Sequence, residues 1–95
     1  MIIRIVKLTF DPVMVTEFKQ VFQSVKDQIR TFEGCEHVEL WNEPSSGNVF
    51  FTCSHWQSLA ALDNYRKSEL FRSTWAKTKQ HFVAPPEAWS LNRAD

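Results

Sequence analysis

His37 and His55 are the residues best suited to proton transfer, since a histidine with a pKa near about 6.5 can take a proton at neutral pH. Both stand in strand-like stretches. Tyr65 adds a phenol able to donate to, or accept from, a developing oxyanion, and Trp75 an indole able to stack on a planar ring. Trp41, Phe51, Trp56 and Trp89 are further aromatics of the kind that line pockets for flat ligands. The same residues also suit an ordinary core or interface, with aromatic bodies inside and polar tips at water or backbone. His81, beside Lys77 and Lys79, fits the C-terminal end of a helix, where cations complement the dipole.

Cys35, His37, Cys53 and His55 form a second constellation. With residue 37 opposite 53 on paired strands, 35 faces 55 and all four side chains project from one side. A slip of one residue puts the pairs on opposite faces. The spacing matches no structural zinc motif, so no metal is expected and the two cysteines read as free thiols. No paired carboxylates, glycine-rich phosphate loop or Ser-His-Asp arrangement is present.

Such residues need a frame, and 95 residues allow one domain with one core. Eight Phe and four Trp supply bulky apolar groups in quantity. Eleven basic and eleven acidic side chains balance without forming blocks, which argues against nucleic acid as a partner. No apolar run approaches a membrane span, and Met1-Ile2-Ile3-Arg4 shows no signal-peptide layout, so a cytoplasmic location is expected.

Ile2, Arg4, Val6, Leu8 and Phe10 alternate with Ile3, Ile5, Lys7 and Thr9, and apolar groups on both faces imply a strand covered on both sides. Asp11 and Pro12 open a helix whose stripe of Met14, Phe18, Val21, Phe22, Val25, Ile29 and Phe32 runs to Gly34 as a left-handed C-cap. Cys35 to Asn42 and Asn48 to Trp56 read as an antiparallel hairpin around Glu43-Pro44-Ser45-Ser46-Gly47. Ser58 and Ser68 cap two short helices, in the second of which Phe71, Trp75, Thr78 and Phe82 share a face. Asp63-Asn64 and Arg66-Lys67 read as a solvated helix face and a helix end. After Pro85-Pro86, Trp89 and Leu91 alternate with Ser90 and Asn92 as a last short strand.

This order predicts an α+β, ferredoxin-like split βαβ fold with a four-stranded antiparallel sheet and helices on one face. The second face, also apolar, needs a cover, and another copy of the chain is the simplest one. A homodimer is expected.

The stretch Trp56-x-Ser58-x-x-Ala61-x-x-x-Tyr65-x-x-Ser68-x-x-Phe71-x-x-x-Trp75, preceded by Val49-Phe50-Phe51-Thr52, resembles the antibiotic biosynthesis monooxygenase superfamily. The Phe32-Glu33-Gly34-Cys35 step resembles that family's helix-to-strand corner. The likeness implies a dimeric α+β barrel with a pocket in each subunit between helices and sheet. It implies, for some members, oxidation of aromatic quinol-like substrates by molecular oxygen without a cofactor. Heme-degrading relatives carry an Asn, a Trp and a heme-ligating His where Val6, Tyr65 and Trp75 stand here, which disfavours heme.

The expectation is therefore a cofactor-independent monooxygenase or related oxidoreductase. Its small aromatic substrate would sit against Trp41, Phe51, Trp56 and Trp75, with His37 or His55 as base and Tyr65 orienting the ring. The alternative is a non-catalytic dimeric module, possessing the same pocket, that holds a small hydrophobic molecule or serves in a stress response.

Overall fold

Apolar residues on both sides put the first segment inside a sheet, and the computed structural model, which covers residues 1–95, places it there. Strand β1 (Ile2–Thr9) lies between β3 (Val49–Trp56) and β4 (Glu87–Leu91), with β2 (Cys35–Asn42) beyond β3. Every neighbouring pair is antiparallel. Helices α1 (Val15–Arg30), α2 (Leu59–Arg66) and α3 (Glu69–Lys79) complete the expected order of the split βαβ fold. None of them is long and apolar enough to cross a membrane.

Local chemistry accounts for the helix starts. Asp11 accepts from the Val13 N–H at 3.2 Å over a 3-10 turn, Pro12–Met14, before α1 begins. Ser58 and Ser68 each accept an orphan N–H, from Ala61 and Phe71, both at 3.1 Å.

The end of α1 differs from expectation. It stops at Arg30, where the Thr31 hydroxyl donates back to the Asp27 carbonyl at 2.8 Å, so Gly34 lies beyond the helix rather than capping it. Gly34 is nonetheless constrained twice. Its φ is +86°, and a Cβ there would come within 2.5 Å of the Ala61 Cβ. Gly34→Ala should therefore cost about 2–4 kcal/mol, from the left-handed backbone and the collision together, read as a lower urea midpoint. Adding Ala61→Gly should recover only the packing part.

The sheet face under the helices carries Ile2, Arg4, Val6 and Leu8 from β1 and Phe50, Thr52, Ser54 and Trp56 opposite them on β3. Phe10, Phe50 and Trp56 are the largest fully buried side chains, and the Phe10 ring packs on Phe18 at 4.2 Å between centroids. The other face carries Ile3, Ile5, Phe51, Cys53 and His55, flanked by Trp41 on β2 and by Trp89 and Leu91 on β4. No helix covers it. Trp41, Trp89 and Leu91 are 46%, 42% and 47% exposed, an unusual amount of bulky apolar surface for one side of a small sheet.

Candidate active site between sheet and helices

A cavity of about 340 Å³ lies between the sheet and the three helices, within the range that accepts small molecules. Val6, Leu8, Val38 and Thr52 form its floor, Phe18, Val21 and Phe22 of α1 one wall, and Tyr65, Phe71 and Trp75 the roof. Pro86 and Ala88 close the β4 side. Its lining is mostly hydrophobic, and the titratable groups in it are Arg4, Arg66 and Tyr65.

Tyr65 is held from three sides. Its ring stacks on Trp56 at 4.7 Å and meets the edges of Phe32 and Phe71, each at 5.3 Å. Burial, helped by nearby Cys35, pushes the phenol up to about 12, so it stays a hydrogen-bond donor across the neutral range and cannot serve there as a base. Tyr65 is the sole tyrosine, which makes this directly measurable. Ultraviolet titration should show phenolate absorbance only near pH 12 in the folded protein and near about 10 in urea. Because the folded-state pKa is raised, the stability it reflects is complete below pH ~10 and falls as pH climbs toward the folded value. Coincident titrations would contradict the buried placement.

Trp75 stacks on Phe71 at 5.9 Å and 10° and presents its indole to the same cavity. These two, Tyr65 and Trp75, are the sequence candidates that the fold brings together.

The others go elsewhere. Trp56 points to the helix side but has no exposed surface; it supports Tyr65 from beneath and donates to the Ser54 hydroxyl at 2.9 Å. His37, His55, Trp41 and Phe51 lie on the uncovered sheet face, across the sheet from the cavity. The register is the cause: His37 pairs with His55, and Trp41 with Phe51, at positions that alternate away from the helices. The expected histidine base therefore does not reach the cavity within one protomer. Instead the two imidazoles meet edge to face at 5.5 Å, and Glu39 joins His37 at 3.3 Å and Trp41 at 3.2 Å. The hydrogen bond from His37, with Trp41 assisting, holds the Glu39 carboxyl below its ordinary range.

The cysteine–histidine constellation also separates. An irregularity between Cys35 and His37 in the β2–β3 pairing turns Cys35 to the helix side, opposite Trp56, while Cys53 stays with the histidines on the uncovered face. No three His, Cys, Asp or Glu side chains converge as metal ligands. Burial pushes both thiols up, so neither is an activated nucleophile.

Three lining residues escaped the sequence candidates. Arg4 projects from β1 on the helix side, and its Nη1 donates to the Ser90 hydroxyl at 2.9 Å. Arg66 lines the cavity rather than simply ending a solvated helix. Thr74 contributes a buried Oγ1 with no hydrogen-bond partner. A cation among the apolar residues of β1 was a visible signal for the first; the other two are isolated residues on short helices and gave none.

The sequence profile of the antibiotic biosynthesis monooxygenase family matches residues 1–77. The chain belongs to this family. Its fold is that of solved family structures: a crystal structure of an antibiotic biosynthesis monooxygenase superimposes with a TM-score of 0.93 at 16% identity, covering 100% of both chains. A conserved protein of Methanosarcina mazei gives 0.91 at 20% identity over 98% of this chain and 93% of that one. Rv0793 of Mycobacterium tuberculosis gives 0.90 at 18% identity over 99% and 95%. No curated protein matches in sequence. At these identities the structural likeness carries the fold, and the profile match carries the family.

Proposed function

We propose that this antibiotic biosynthesis monooxygenase family member oxidises a small aromatic, quinol-like molecule with molecular oxygen and no cofactor. The observation that carries the proposal is the cavity itself, where a protonated Tyr65 hydroxyl and the Trp75 ring share an apolar enclosure. A phenol bound there is the electron source. For a ring with a free para C–H, the phenol and O₂ become the quinone and water: one oxygen atom forms the second carbonyl, and the other leaves with the phenolic proton and the ring hydrogen.

Within this scheme Tyr65 donates to the developing oxyanion, Trp75 stacks on the ring, and the enclosure keeps bulk water from the reduced oxygen. Tyr65→Phe should lower kcat for oxygen uptake with 1-naphthol, which has a free para C–H, about tenfold or more, with KM little changed. An unchanged kcat overturns the role of Tyr65. Alanine at His37 or His55 probes a different matter: a loss of turnover in a variant that stays dimeric would show a base acting from the uncovered face.

The assembly proposed is a homodimer closed across the uncovered face. Its support is the family's α+β barrel arrangement and the exposed Trp41, Trp89 and Leu91 on a surface roughly 15 by 25 Å.

One feature favours a second reading. No histidine, carboxylate, thiol or lysine lines the cavity, so the site as built can hold a ligand without a base to start turnover. A non-catalytic binding module predicts a rise in melting temperature with ligand and no oxygen consumption.

A further inference from the structure

Arg4 and Arg66 reach the cavity from different elements, one from the sheet floor and one from the end of α2. Neither takes part in an ion pair. Arg4 has one neutral partner, Ser90, and keeps most of its five donors free. Asp63 is near enough to favour the Arg4 charge but makes no contact with it, whereas burial and the Arg66 charge disfavour it. The half-buried Arg4 guanidinium thus loses hydration and is repelled by the exposed Arg66 at the cavity edge, and an anion between them relieves both costs. Their planar forks match carboxylate or phosphate oxygens two at a time.

The rest of the cavity states what must accompany the anion. Leu8 lies four positions along β1 from Arg4, about 13 Å away on the same face. Phe18, Val21 and Phe22 offer only apolar surface. A charged head with a body of two or three fused rings fits that span.

Taking the cavity as the ligand site, as proposed above, we infer that its ligand is an aromatic oxyanion, a carboxylate or a phosphate ester, held by Arg4 and Arg66. The anion fixes the orientation of the ring beneath Tyr65 and Trp75.

The test is calorimetric titration of the full chain with naphthoate, naphthyl phosphate and naphthalenemethanol. At least one anion should bind about tenfold or more tightly than the alcohol, and the preference should shrink as salt is raised. Whichever anion binds more tightly identifies the headgroup. Arg66→Gln, at an exposed helix end where folding is not at risk, should weaken the anions far more than the alcohol and so remove the preference. Arg4→Gln should do the same. Equal binding of all three compounds overturns the inference and leaves the ligand cavity standing. Binding of none overturns both. An anion preference that survives Arg66→Gln removes the arginine from the site.

Discussion

Trp56→Ala is expected to destabilise the protein by about 3–5 kcal/mol, roughly half of what a chain of this length has to lose. The indole has no exposed surface, so the substitution leaves a void that Tyr65, stacked on it, cannot fill without moving. It also strips the buried Ser54 hydroxyl of its donor, adding the cost of an unsatisfied polar group. Trp56→Phe keeps most of the buried area and loses the hydrogen bond, so about 1–2 kcal/mol is expected. Urea unfolding measures both. The pair also separates two roles for Trp56, because a support beneath Tyr65 predicts a stability loss even with no ligand present. A loss below about 1 kcal/mol for alanine would mean that Trp56 is not a structural member of the core.

Ile5→Lys is expected to break the proposed dimer. Ile5 sits in the middle of the uncovered face, paired with Cys53 on one side and Trp89 on the other. A lysine there is harmless to a monomer, since its ammonium reaches water. In a two-fold interface it appears twice and is buried without a partner, so the dissociation constant should rise at least about a hundredfold. Sedimentation velocity across a concentration series reads this directly, with Gln23→Lys on the exposed side of α1 as the control. A wild-type protein that sediments as a monomer at all concentrations would show that a second copy does not cover this face.

The architecture was legible because its elements repeat with different periods. β1 alternates with apolar groups on both faces, while α1 repeats at three and four, and neither pattern suits the other structure. The site was legible only where it depends on the helices: Trp75 lies on a helix face that periodicity defines, and Tyr65 stands in the family-like stretch from Trp56 to Trp75. The strand residues depended on register, and one irregularity after Cys35 separates its side of the sheet from that of His37. No feature of Glu36 or its neighbours marks that irregularity in advance. Arg66 was hidden for another reason. At the end of a short helix it looks like any solvated cation, and only the assembly of α2 with the sheet and the other two helices gives it a cavity to face.

The last strand holds a different kind of lesson. Every residue of β4 is exposed, so β4 adds little to the core, yet the segment around it supplies Pro86 and Ala88 to the cavity wall and Ser90 to Arg4. The family profile ends at residue 77, before this segment begins. Substitutions at its cavity-side residues, Pro86, Ala88 and Ser90, should be nearly silent in stability and loud in ligand choice. The molecule thus keeps its adjustable part outside its foundations: selection could change what such a protein accepts by editing one edge strand, leaving untouched the packing that lets it fold.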